Sequence, residues 1–174
     1  MKKIFVLILI LSLALSLFSA CGSSQDVKPE KVDSETSQQK ETKTETETYE
    51  IGDSVKAGNL IFTVNSTRTD AGGDFIKPKD GYIYYIIDVT VENTGDKSES
   101  VSSLMMFKLF DSQGYNYTIT IGPETQGSVN GEISAGRKLR GELAFEIPKD
   151  ATGLELQIDP TLFGSGQIIV ELDR

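Results

Sequence analysis

Strict alternation of apolar and polar side chains restricts the fold of this chain most, because a period of two marks a strand with one buried face. Ile83, Tyr85, Ile87, Val89 and Val91 share one face of an extended segment; Asp88, Thr90 and Glu92 share the other with Tyr82, Tyr84 and Ile86. Leu139, Leu143, Phe145 and Ile147 alternate with Lys138, Arg140, Glu142 and Glu146 in the same way, which places one face in a core and one in water. Shorter candidate strands occupy residues 59–66, 104–110, 115–121, 154–158 and 167–172, with an edge strand at 51–56. Asn93-Thr94-Gly95, Asp111-Ser112-Gln113-Gly114 and Gly164-Ser165-Gly166 are turn signals of the kind that join antiparallel neighbours. No window carries a helical period over a useful length. About seven or eight strands without helical crossovers predict an all-β fold, an antiparallel β-sandwich.

Upstream of Tyr49 the pattern is different. Met1-Lys2-Lys3 is a positive start, residues 4–18 are apolar apart from Ser12 and Ser16, and the run ends in Ser19-Ala20-Cys21-Gly22. This is a signal peptide in outline. The run is too short for a spanning helix, which needs about 20 apolar residues. Phe18-Ser19-Ala20-Cys21 resembles the lipobox of bacterial lipoproteins, with Phe18 standing where an aliphatic residue is usual. That resemblance implies a diacylglyceryl group on the Cys21 thiol and cleavage just before it. The competing reading is a plain secretory signal with a chance cysteine.

Residues 22–48 are almost wholly Ser, Thr, Gln, Lys, Asp and Glu, with Val27 and Val32 the sizeable apolar exceptions. Such a segment cannot bury enough surface to offset its ordering entropy. The expected organisation is therefore a signal peptide at 1–20, a lipidated, disordered tether at 21–48 and a folded domain at 49–174. A flexible tether of this length spans roughly 30 Å on average and about 90 Å when pulled straight.

Composition narrows the chemistry. Cys21 is the only cysteine, so no intrachain disulfide is available, and there is neither histidine nor tryptophan. Lack of histidine removes the usual proton-transfer group near neutral pH, every Ser-His or Cys-His pair and the commonest nitrogen ligand for zinc. The formal charge is −9, and it becomes two units more negative once the leader with Lys2 and Lys3 is removed. An acidic body repels polyphosphates, and the short basic run Arg137, Lys138 and Arg140 is interrupted by Leu139, which argues against nucleic-acid binding.

Three blocks carry a family resemblance: Gly81-Tyr82 through Val89-Thr90-Val91-Glu92-Asn93-Thr94-Gly95; Phe107-Lys108-Leu109-Phe110-Asp111-Ser112-Gln113-Gly114-Tyr115; and Gly136 through Gly141-Glu142-Leu143-Ala144-Phe145-Glu146-Ile147-Pro148. They resemble a bacterial domain family of unknown function, carried by lipoproteins of Gram-positive bacteria and similar to a secreted mycobacterial antigen. The resemblance spans roughly 51–172 and implies an immunoglobulin-like sandwich, with no catalytic residues to carry over. Some members bear the name telomeric repeat-binding factor, which the acidity and export signal of this chain contradict.

Candidate sites are few. Tyr82 and Tyr84, with Ile86, lie opposite the strongest apolar face; Tyr115 and Tyr117 could extend them into an exposed aromatic protein-binding surface. The alternative, that a sheet edge or loop covers them, stays open. The long loop at 122–136 is a second place for binding groups. Asp70, Asp74 and Asp80 could offer oxygen ligands to calcium, but Lys77 and Lys79 oppose a cation and a solvated loop is favoured. Glu142 and Glu146 share a strand face at about 13 Å, too far apart for paired-carboxylate hydrolysis. No metal or cofactor is called for. The expectation is a non-enzymatic, extracytoplasmic module, anchored in the lipid bilayer through Cys21, that binds an envelope or secreted protein. The alternative is a small-solute, metal or wall-fragment binder serving a transporter or sensor.

Overall fold

A computed structural model describes residues 30–31, 47–161 and 167–172. Cys21, and with it the expected lipidation site, lies outside the described residues. In chain order the strands are β1 (Glu30–Lys31), β2 (Thr48–Tyr49), β3 (Ser54–Ala57), β4 (Leu60–Asp70), β5 (Tyr82–Asn93) and β6 (Glu99–Val101). A single helical turn, α1 (Ser103–Met106), leads into β7 (Phe107–Phe110), β8 (Asn116–Tyr117), β9 (Gly131–Ile133), β10 (Lys138–Pro148), β11 (Glu155–Ile158) and β12 (Ile168–Glu171).

These strands make two five-stranded sheets, ordered β1-β3-β4-β5-β10 and β2-β12-β11-β7-β8, with β6 and β9 paired beside them. The two sheets form the expected β-sandwich. It has more segments than expected because short pieces such as β6 and β9 arise inside stretches whose patterning is too brief to show a period, while the strand expected at 115–121 is realised only as β8. It is also not purely antiparallel: β2 runs parallel to β12, with Tyr49 opposite Val170. The pair Glu30–Lys31 adds antiparallel to β3, so the stretch expected as a tether contributes an edge segment.

The alternation in β5 and β10 is realised as expected. Tyr85, Ile87, Val89 and Val91, with Leu143, Phe145 and Ile147, face the interior and are buried. Phe107, Leu109, Leu156, Ile158, Ile168 and Val170 meet them from the second sheet. Phe62 of β4 and Phe107 of β7 cross edge to face at 6.2 Å, a favoured ring geometry.

β4 does not keep one parity. Leu60, Phe62 and Val64 point inward, and continued alternation would bury Ser66, Arg68 and Asp70 behind them. A bulge at Asn65 prevents this, since Val64 pairs with Val89 but Ser66 pairs with Asp88. One extra residue flips the side chains that follow to the opposite face. Arg68 and Asp70 are thereby delivered to the outer face, and the Asn65 amide donates to Asp88 at 3.1 Å and to Thr90 at 3.0 Å.

Residues 104–110, expected as one strand, begin as a helical turn. The Asn130 Oδ1 accepts from both the backbone N–H (2.8 Å) and hydroxyl (3.0 Å) of Ser103, and the Met106 N–H returns to the Ser102 carbonyl. Met106 is thus turned into the core while Leu104 and Met105 remain exposed.

Candidate functional site: a loop-covered sheet face and its cleft

The outer face of the first sheet is only half wet. Toward one end it carries Asp88, Thr90 and Glu92, with Arg140 bound to Asp88 (2.6 Å) and Lys138 near Glu92. Toward the other end it carries Tyr84, Ile86 and Ala144, which form a separate buried cluster. Two loops cover that cluster.

The first loop, 71–81, joins β4 to β5. The Asp70 carboxylate accepts the Gly72 N–H at 2.7 Å, and the Gly73 N–H donates to the Ile76 carbonyl. Gly72 has φ +78°, and a Cβ there would collide with the Ile76 carbonyl oxygen, so the tight return requires glycine. Glu146 holds the loop's far end by accepting the Lys79 N–H (2.6 Å) and lying 3.4 Å from the Lys79 ammonium.

The second loop, 118–130, is stitched directly to β10. The Thr120 N–H donates to the Ala144 carbonyl and the Glu142 N–H to the Gln126 carbonyl. Gly127 bridges Gly141, and a Cβ on Gly141 would strike the Ser128 backbone. The long loop at 122–136 is therefore a fitted cover, which buries Val129 and then enters β9.

Arg68 locks both loops. Its guanidinium grips the Glu142 carboxylate through Nε (3.0 Å) and Nη2 (2.9 Å), lies 3.4 Å from Asp70, and donates to the Glu124 carbonyl at 2.9 Å. Glu142 in turn accepts the Gln126 N–H at 2.9 Å. The Arg68 hydrogen bond holds the Glu142 carboxyl below its ordinary value, against the opposing effect of burial. Asp88 is lowered chiefly by Arg140, and Asp111 chiefly by the Tyr117 hydroxyl.

These three shifts fix the sign of a pH effect. A carboxyl whose folded pKa is depressed stabilises the fold fully above its unfolded value of about 4, and that contribution disappears as the pH falls through the folded value. The urea midpoint should be flat between about pH 7 and about pH 5 and drop below about pH 4. Glu142→Gln removes one depressed carboxyl, so its profile should fall less steeply across the acid limb; an identical profile would mean that Glu142 is not held by Arg68 in solution.

Between the two loops opens a cleft of about 430 Å³, lined by Asp70, Asp74, Phe75, Ile76, Pro123 and Glu124 with three glycines. A smaller recess of about 200 Å³ adjoins it, shares Gly122 and Pro123, and includes Ile121. Phe75 and Ile121 are 100% and 99% exposed and Ile76 is 48% exposed, so two large apolar side chains stand in full contact with water, one at this cleft and one at the recess beside it.

The expected tyrosine patch is only partly realised. Tyr84 is 5% exposed and is not a surface residue; a Cβ on Gly122 would contact its hydroxyl, so the loop closes over it. Tyr82 is half-buried beneath the Lys79 ammonium, 5.6 Å above its ring. Tyr117 donates to Asp111 at 2.7 Å, and its phenol is pushed up by burial and by that carboxylate. Tyr115 is exposed, and its N–H and that of Gln113 also bind Asp111, which makes the 111–117 turn a structural unit.

Asp70 and Asp74 line the cleft and Asp80 does not; among the described residues no group of three or more side chains is placed to hold a metal ion. Glu142 and Glu146 are engaged with Arg68 and Lys79. The residues missed by periodicity are Phe75, Ile76 and Ile121. For Phe75 and Ile76 the one signal was two adjacent large apolar residues inside a polar, glycine-bearing loop; Ile121 ends the stretch 115–121 expected as a strand.

Two facing sheets joined by short turns, with loops folded over one outer face, define a β-sandwich domain. The chain is 30% identical, over 86% of its length and 83% of the relative's, to a Bacillus subtilis (strain 168) protein known as uncharacterized lipoprotein YjhA. It belongs to the family described as Domain of unknown function (DUF4352), whose model matches residues 49–168.

The crystal structure of the YjhA protein covers 72% of this chain and 99% of its own, with 27% identity and a TM-score of 0.57. An uncharacterized β-sandwich protein from Clostridium difficile 630 matches 77% of this chain and 100% of its own, at 15% identity and TM-score 0.52. The secreted protein MPT63 of Mycobacterium tuberculosis matches 76% of this chain and 100% of its own, at 13% identity and TM-score 0.51. These last two establish the fold alone. The resemblance read from the three sequence blocks therefore holds.

Proposed function

We propose that the protein is a lipoprotein held by acylated Cys21 at the extracytoplasmic face of the cell membrane, whose sandwich binds a protein partner without catalysing a reaction. The observation that carries this reading is the full exposure of Phe75, which lines the cleft, and of Ile121, which lines the adjoining recess. Each such side chain gains roughly 1.5–3 kcal/mol when removed from water, and apolar side chains that converge on a concavity are the usual anchors of an interface. The covered Tyr84 cannot serve in this way, and the exposed apolar loop tips supply the anchors in this reading. The lipoprotein relative supports the anchor.

A photo-cross-linking residue in place of Phe75, in the native envelope, should capture one recurrent protein, and Ile121→Asp should abolish the capture. Capture of nothing above background would overturn the reading. The cleft volume also lies within the range of small-ligand sites, roughly 300–1,000 Å³. For a solute or wall-fragment binder, that ligand should raise the melting temperature of the chain, because it binds only the folded state.

A further inference from the structure

The charge around the cleft constrains what can enter it. Asp74 and Glu124 line it beside the apolar tips, and among the described residues neither has an ion-pair partner. Two of the nearby cations are already engaged, Arg68 with Glu142 and Asp70, and Lys79 with Glu146. Lys77 does not line the cleft. Two uncompensated carboxylates therefore stand beside Phe75 and Ile76 in the cleft, next to the recess that holds Ile121, on a chain of formal charge −9.

Resting on the binding-module reading, we propose that the cleft receives a cationic amphipathic segment of the partner protein. Apolar side chains of that segment pack on Phe75, Ile76 and Ile121, and its Arg or Lys heads reach Asp74 and Glu124. An acidic segment would bring like charges together at the cleft, which opposes its binding. An anionic bilayer is disfavoured for the same reason: inserting Phe75 and Ile121 would press Asp74 and Glu124 against headgroups of their own sign. Arginine suits the site better than lysine, since its planar fork can meet a carboxylate while its face lies on the Phe75 ring.

The test uses the full lipid-anchored chain in neutral-lipid discs and three probes: a labelled short peptide of alternating Arg and Leu, its Glu and Leu counterpart, and phosphatidylglycerol vesicles. The Arg peptide should bind, and Asp74→Lys with Glu124→Lys should weaken it about tenfold. The control pair Glu50→Lys with Glu171→Lys, which makes the same net change at a different surface, should leave binding within about twofold. No binding of the Arg peptide, equal weakening by the two charge pairs, equal binding of the Glu peptide, or vesicle binding lost on Phe75→Asp would each overturn the proposal. If cross-linking from position 75 still captures one protein when Asp74 and Glu124 are reversed, the module reading stands and this inference alone falls.

Discussion

Asn93→Ala should cost about 3 kcal/mol of folding free energy, read as a lowered urea midpoint and a melting temperature about 10 °C lower. Asn93 is fully buried. Its Nδ2 donates to the carbonyls of Lys97 (2.6 Å) and Ile133 (2.8 Å), and its Oδ1 accepts the Gly95 N–H (2.9 Å). Its backbone N–H binds the Arg137 carbonyl, and its carbonyl accepts the Gly136 N–H. One side chain thus ties the end of β5 to its own turn and to β9. Alanine would leave two carbonyls and an amide without that partner, each costing about 1–3 kcal/mol when buried, with partial recovery from water. Asn93→Asp should be worse, because an oxygen would then face the two carbonyl oxygens. A loss below about 1 kcal/mol for alanine would show that the knot at this end of the sandwich is not the fastening its geometry indicates.

Ile86→Lys should cost about 3 kcal/mol, although periodicity alone would class the position as outward and tolerant of charge. Ile86 is 0% exposed because the 118–130 loop lies over it. The variant must either bury an ammonium beside Tyr84 and Ala144 or lift the loop, and it takes the cheaper route. Lifting would break the Thr120 to Ala144 and Glu142 to Gln126 backbone bonds, so amide exchange at Thr120 and Glu142 should rise to nearly that of exposed loops while amides of β11 stay protected. Unchanged stability together with unchanged exchange would mean that the loop does not cover the sheet in solution.

The long strands β5 and β10 were legible because each buries one face, which makes alternation continuous along them. A period of two could not have been continued through β4, where parity reverses. Nothing in Val64-Asn65-Ser66 distinguishes a bulge from continued alternation except the absurdity of burying Arg68 and Asp70. Periodicity left the exposure of Tyr84 open, since a period of two assigns a side chain to a face but cannot say whether that face meets water or another segment. The cleft was the least legible feature: Phe75 and Ile76 belong to one loop and Ile121 to another, and no local pattern couples them.

What the sequence determined by itself was whatever repeats locally: the all-β class, the inward residues of the principal strands, the turn at Asn93-Thr94-Gly95 and the resemblance to a family of sandwich domains. These follow from short-range chemistry, in which each residue is compared with neighbours two positions away. Tertiary structure alone decided which outer face is covered, that Arg68 and Glu142 meet across β5 to pin the covering loop, and that two distant loop tips frame one acidic cleft. Each of those outcomes depends on pairing between segments tens of residues apart, set by the Asn65 bulge and by the close backbone approach at Gly127 and Gly141.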